Sequence, residues 1–413
     1  MSSEPVEKKH SSHPAPLMDL SQFAEVLNER FSQPLAADVA SWLPPQDPDK
    51  PSLPYLPGFN VTIRPHNIAE REQPRQDLKP EYLRTVTQSK AVVNNPSRFS
   101  SPDPDDAESA ALAITASISI GTTRGAQIVA CTITPCQKND EEVPKPFQAV
   151  AKIYDPIGRY PRDTVREADK DYENETAAYE HLRKHGITGS FAPKYYGSWI
   201  FRLPITIGDR HQSRSIQMIL IETLNGVSIQ ETRVQNSSDR SGGTDSFHYP
   251  EEYRLEVLAR AMDAYVKQLK IGLEQGDFAG RNVILVANSP EEDKVGGLVL
   301  PRVVLVDYNT AKVVEMPCEQ ANWLPSNPAA VFWNEYVWED FGGWVPNEWQ
   351  DWKTQQDWLM RRFNGDDHRH HYYPSQEFFN NMLAQGDEIH MQQYQRGGQL
   401  TRSPSMAQYQ ASV

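Results

Sequence analysis

Hydrophobic and polar positions alternate with a period of two over Ile114–Ile120 and again over Gln127–Thr132, with Gly121–Gly125 (GTTRG) between them. That period sends successive side chains to opposite faces, so the segment predicts a hairpin. Phe147–Tyr154 (FQAVAKIY) predicts a further strand, and Ile216–Thr223 (IQMILIET) a buried one that ends at Asn225-Gly226. Elsewhere the spacing shifts to three and four. Tyr172, Thr176, Tyr179 and Leu182 mark one face of a helix over Tyr172–His185, and Leu258, Met262, Tyr265 and Leu269 a stripe over Glu251–Leu269. Asn282–Ala287 and Val303–Asp307 are short apolar strands around the turn-rich SPEEDKVGG. Helices are also expected over 347–363, over 375–385, and over 17–33, where Leu20, Phe23, Leu27 and Phe31 share a face before Pro34 interrupts. There is no internal repeat.

Composition divides this pattern into regions. Sixteen of the 32 prolines fall in residues 1–110, and residues 43–106 carry little periodicity. That stretch is expected to be extended or disordered, so residues 1–109 form an N-terminal helix and a Pro-rich segment. Residues 110–385 form the main domain, strand-rich over 110–224 and helical over 225–385, and the polar residues 386–413 form a disordered tail. Seven of the nine tryptophans lie between Trp323 and Trp358, where they read as core of the helical part.

The net charge of −14, without a long Lys/Arg run, argues against nucleic acid or a membrane surface as partner. Three cysteines, Cys131, Cys136 and Cys318, form no CxxC pair and are too few for a disulfide framework. The N-terminal MSSEPVEKKHSSHPAP has no apolar core of a secretory signal, and no apolar run is long enough to span a bilayer. A cytoplasmic or nuclear protein is expected.

Four features carry candidate chemistry. Lys152 stands in the strand FQAVAKIY, where an ammonium either contacts phosphate or snorkels from a strand edge. A buried lysine needs a counter-charge, and Glu175 lies one turn before Tyr179 on the apolar face of the following helix, whereas Glu173 points elsewhere. Asp277 and Asn282, in QGDFAGRN, follow a helix and precede a strand. That spacing lets a loop aim a carboxylate at a hydroxyl while the amide turns back to a metal, although Gly276, Asp277, Gly280 and Asn282 alone read equally as a turn. Asp307 ends the strand VVLVD, a position suited to a magnesium ligand or to a cap.

Taken in order, these residues resemble the protein-kinase-like superfamily, most closely fungal kinase-like and aminoglycoside-phosphotransferase-like proteins, whose loop reads HGDxxxxN. The resemblance runs over residues 112–313 and implies an α+β bilobal fold, with a small antiparallel-sheet N-lobe and a larger helical C-lobe. It implies ATP and Mg2+ as cofactors, Lys152 on phosphate, Glu175 orienting it, Asp277 as catalytic base, and Asn282 and Asp307 on the metal. Gly121 and Gly125 would bound a phosphate-covering hairpin, and backbone groups of Glu222 and Leu224 would meet adenine. The chain departs from the family at several points. GTTRG is shorter than G-x-G-x-x-G, Gln275 stands where the family has His, Ala279 stands where protein kinases have Lys, Asp307-Tyr308-Asn309 replaces D-F-G, and there is no A-P-E.

The function expected is phosphoryl transfer to a hydroxyl of an unknown protein or small-molecule acceptor. The alternative is a catalytically weak or inactive scaffold, in one form an accessory protein of fungal specialised metabolism. His368, His370 and His371, beside Asp366 and Asp367, read as a solvated loop before a metal site.

Overall fold

Asn60–Pro65 (β1), Ala110–Ser119 (β2), Gln127–Pro135 (β3), Phe147–Tyr154 (β4), Tyr195–Ile207 (β5) and Arg210–Ile221 (β6) pair in the order β1-β2-β3-β4-β6-β5 and close into an antiparallel barrel. A computed structural model describes residues 45–66, 78–99, 109–121, 125–136, 145–158, 164–235, 243–287, 293–314, 324–365 and 368–372. The expected hairpin is β2–β3, and Ile114 pairs with Cys131 across it. Closure comes from β1, which pairs with β2 through Asn60–Ile63 and with β5 through Arg64 and Pro65. Register shifts in β2 between Ile114 and Ala116, and in β5 between Tyr195 and Ser198, add the local twist a closed sheet needs.

Alternation along β4 decides where the site forms. Ala149, Ala151 and Ile153 point into the barrel core with Ile63, Leu112, Val129 and Met218. Val150, Lys152 and Tyr154 therefore face outward, and Val150 and Tyr154 pack in the neighbouring cluster under the long helix. Burial pushes the Cys131 thiol up to about 12, so inside the barrel it behaves as a small hydrophobe.

Helices α1 (Pro80–Thr85) and α2 (Gln88–Asn94) lie between β1 and β2, α3 (Thr164–Lys184) lies between β4 and β5, and α4 (Glu251–Lys270), α5 (Pro328–Val331), α6 (Val337–Phe341) and α7 (Trp352–Phe363) follow the barrel. α3 lays Tyr172, Tyr179 and Leu182 on the outer barrel face, where Tyr308 and Leu273 from later in the chain join them. α4 carries the second core, packing Val257, Leu258 and Met262 with Trp344, Trp349 and Phe363. Small antiparallel sheets surround it. Val283–Val286 lies between Gly226–Ser228 and Arg302–Leu305, and two-stranded pairs join Val234–Gln235 to Thr244–Asp245, Leu273–Glu274 to Lys312–Val313, and Lys294–Val295 to Leu298–Val299.

This architecture overturns the bilobal expectation. The N-terminal sheet is a closed six-stranded barrel, not an open lobe, and among the described residues the later half is not a helical lobe. Only α4, with 20 residues, and α7, with 12, exceed two turns there, and the rest is short helix and small antiparallel sheet. The missing element was β1. It lies within residues 43–106, expected to be extended or disordered, and this stretch also supplies α1 and α2. Strand β5 was missed as well, and α3 begins eight residues before the expected Tyr172. The expected 347–363 helix is a 3-10 turn over Asn347–Gln350 followed by α7, with Asp351 capping Lys353. The helices expected over 17–33 and 375–385, the tail 386–413 and Cys318 lie outside the described residues. Among the described residues no helix is long and apolar enough to cross a membrane.

Candidate functional site

The outward face of β4 places Lys152 beneath α3. Its ammonium donates to Asp307 Oδ1 at 2.6 Å and lies 2.5 Å from Glu175 Oε2, although Asp307 is 155 residues away in sequence. Both Lys152 and Glu175 are buried, at 8% and 1% exposure, so neither charge is stable without the other. Burial disfavours the Lys152 ammonium, but the Glu175 and Asp307 carboxylates outweigh it and hold the amine protonated, above the ordinary lysine range. Burial raises the Glu175 carboxyl, with Lys152 opposing that rise. Glu173, two residues earlier, turns the other way and pairs with Arg98.

Two tyrosines fix the glutamate. Tyr154, two residues after Lys152 on the same strand face, donates its hydroxyl to Glu175 Oε2 at 2.6 Å, and the Tyr308 N–H donates to Oε1 at 3.3 Å. The Tyr308 ring is fully buried edge-on against Tyr179, and its hydroxyl accepts from Gln268 of α4 at 2.6 Å. A buried tyrosine next to Asp307 thus locks the start of this loop. Asp307 itself has φ of +66°, the one non-glycine residue with positive φ among the described residues. Such a conformation costs on the order of 1 kcal/mol and persists where the surroundings impose it, often at functional sites.

The loop 275–282 is stapled to the same place. Gln275 donates to the Val306 carbonyl at 2.5 Å, Thr310 Oγ1 donates to the Gln275 carbonyl at 3.2 Å, and the Val306 N–H donates to the Asn282 carbonyl at 3.0 Å. Gly276 is required there. It has φ of +82°, and a Cβ would lie 2.8 Å from the Thr310 carbonyl oxygen. Gln275 therefore has a structural task. Asn282 donates its amide to Asp277 Oδ2 at 2.8 Å and to the Asp277 carbonyl at 3.0 Å. Arg281 meets the other carboxylate oxygen at 2.5 Å. The Asp277 side chain is 30% exposed, so solvent reaches it. Arg281 also offsets the neighbouring Asp340, whose carboxyl burial raises and Glu339 and Asp277 push further.

Magnesium suits the oxygen donors present. Asp307 offers a carboxylate, and Asn282, whose amide nitrogen is committed to Asp277, offers its amide oxygen. Among the described residues no group of three or more His, Cys, Asp or Glu forms a self-sufficient metal site, and the described His368, His370 and His371 form none. Asn282 and Asp307 would supply two oxygens to such a cation and leave its remaining positions to water and phosphate oxygens.

The other expected residues lie as follows. The Gly121 N–H and carbonyl both bond the side-chain amide of buried Gln127, at 2.8 and 3.0 Å, so that N–H is already committed. Gly125 opens the way into β3, and residues 122–124 between the two glycines lie outside the described residues. The Glu222 N–H donates to the Lys194 carbonyl at 2.8 Å, and its carboxylate takes a bidentate pair from Arg302 at 2.7 and 2.9 Å. Hydrogen bonding to Arg302 holds that carboxyl below the usual range. Leu224 is half-buried at the exit of β6.

Sequence reasoning missed Tyr154, Tyr308, Gln127 and Asn174, which donates to the Asn309 carbonyl at 2.8 Å. For Tyr154 the signal was present, since a period of two puts it on the face of Lys152. For Gln127 and Asn174 no local pattern existed. No protein-family model matches the chain, and no curated protein matches it in sequence.

Proposed function

We propose that this chain is an ATP–Mg-dependent phosphotransferase acting on a hydroxyl of a protein or small molecule, in the cytoplasm. The observation that carries the proposal is the cluster of buried Lys152 and Glu175 with the half-buried Asp307, set beside the Asp277–Asn282 loop by three hydrogen bonds. A nucleotide with magnesium supplies the phosphoryl group and neutralises its charge. Lys152 presents a fixed positive charge, and Glu175 with Tyr154 keeps it from swinging to solvent. Asn282 and Asp307 are the residues that would hold the cation. Asp277 would accept the proton of the acceptor hydroxyl, within reach of solvent.

An ATP-consumption screen across proteins and small hydroxyl compounds tests this, with Asp277→Asn as control. The expected result is turnover of at least one acceptor, reduced about 10²–10⁴-fold by the substitution while nucleotide binding persists. Turnover equal to wild type in Asp277→Asn sinks the role of Asp277.

A second reading has its own observation. Both oxygens of Asp277 are engaged, one by Arg281 and one by Asn282. An Asp277 held that way favours a scaffold that binds partners without transferring phosphate. Nucleotide-independent partner binding, with no phosphoryl transfer to any acceptor, would select it.

A further inference from the structure

The segment between β1 and β2 grips α3, the helix that presents Glu175. Gln88 at the start of α2 donates to the Pro156 carbonyl at 2.9 Å, just before that helix. Beyond α2 the grip tightens. Ser97 Oγ donates to Asp169 Oδ1 at 2.5 Å, the Arg98 N–H donates to Asp169 Oδ2 at 3.2 Å, and the Arg98 guanidinium pairs with Glu173. Ser97 Oγ also accepts from Gln217 Nε2 at 2.8 Å, and Gln217 belongs to the rigid barrel strand β6. One hydroxyl therefore bridges the helix and the barrel.

Next to it, Phe99 sits edge-on to Tyr172 with ring centroids 5.5 Å apart, and Tyr172 packs on Tyr154 at 5.6 Å. Tyr154 is the residue whose hydroxyl holds Glu175. Asp169 and Glu175 are six residues apart on α3, a rise of about 9 Å, so the latch acts close to the ion pair. Val92, Ile157, Val165 and Ile205 form a buried apolar cluster at this contact, but they do not fill it. A cavity of about 230 Å³ lies between α2, the foot of α3 and the barrel, with Val92, Ser97, Val165, Arg202 and Arg214 among its lining residues. The polar latch therefore adds to the apolar packing of α2 and Phe99 on the helix.

We propose that residues 88–99 are a clasp that sets the position of α3, with Ser97 and Arg98 as positioning residues for the Lys152–Glu175 pair. The clasp's effect on turnover rests on the phosphotransfer reading, but its effect on the ion pair does not. Releasing the latch lets α3 lift from the barrel, and Lys152 loses its partner and its cover.

The test uses the full chain with Ser97→Ala, the conservative Ser97→Thr, and Arg98→Ala as a milder variant at a half-buried pair. Folding is checked by circular dichroism. Amide hydrogen exchange of α3 and acetylation of Lys152 by an amine-acylating reagent are then mapped by mass spectrometry. In Ser97→Ala, Lys152 acetylation and α3 exchange are expected to rise about tenfold, the scale of one lost charge-assisted hydrogen bond, with a smaller rise in Arg98→Ala and wild-type values restored in Ser97→Thr. Should Ser97→Ala fail to fold, Arg98→Ala carries the test alone. Unchanged acetylation and exchange in the folded variants overturn the clasp. Where wild type also transfers phosphate, kcat falls with acetylation rising while the KM of the acceptor holds. If acetylation rises but wild type transfers no phosphate to any acceptor, the clasp stands and the phosphotransfer reading falls.

Discussion

Lys152 is a buried ammonium held between two carboxylates, Glu175 and Asp307. Removing it as Lys152→Met leaves Glu175 in a buried site with no counter-charge, an arrangement that costs about 3–5 kcal/mol when the carboxylate is ionised. The sign with pH follows from burial. Glu175 already has a raised carboxyl in the wild type, and losing Lys152 raises it further. A carboxyl raised on folding is fully accommodated below its unfolded value, and stability is lost as pH rises through the folded value. Urea midpoints of Lys152→Met should therefore approach wild type at about pH 4 and fall well below it at about pH 8. An equal deficit at both would mean the lysine contributes packing and not charge. Adding Glu175→Gln should remove the pH dependence.

At the level of elements, closure of the barrel depends on a short strand set in a proline-rich stretch. NVTIRP alternates Val61 and Ile63 with polar residues, but it is six residues long and sits in a proline-rich stretch; Ile63 is fully buried in the barrel core. Ile63→Ala is expected to destabilise the protein by about 2–5 kcal/mol, read as a drop in denaturant midpoint with an unchanged slope. A change below about 0.5 kcal/mol, the scale of an ordinary surface substitution, would show that β1 is a peripheral cover. Strong elements were legible. FQAVAKIY is β4 over its full length, and the stripe Leu258, Met262, Tyr265 and Leu269 lies in α4. β1 was not, because it is short and pairs with β2 and β5, which lie far along the chain. β5 was overlooked although its main partner is local, since a two-residue Gly208-Asp209 turn joins it to β6. Pro65 pairs with Trp199 at a strand edge, where its missing N–H does little harm. Within the site, helix periodicity alone separates Glu175 from Glu173. The clasp that holds the helix could not be read from any spacing, since Ser97 and Asp169 lie 72 residues apart.

For the molecule as a whole, the site sits where the barrel, α3 and the later half meet, joined through Tyr308 and Leu273 in one apolar cluster. A ligand that bridges Lys152 and the Asp307–Asn282 edge should stabilise this junction globally. ATP with magnesium at a hundredfold excess over its Kd is expected to add about 2.7 kcal/mol to wild-type stability, seen as a rise in Tm that Asp307→Ala loses. No rise at millimolar nucleotide would favour the scaffold.

The sequence by itself determined the strongly periodic strands and helices and the order of Lys152, Glu175, Asp277, Asn282 and Asp307 along the chain. Both follow from local chemistry, because side-chain period and residue type need no distant partner. Only the tertiary structure decided that the sheet closes into a barrel, since closure depends on β1 meeting both β2 and β5. It also decided that Lys152 takes two carboxylates at once, that Asp277 is held by Arg281, and that Gln127 occupies the backbone of Gly121. Each of these is a long side chain's choice among several partners, and burial and geometry settle that choice only after the chain has folded.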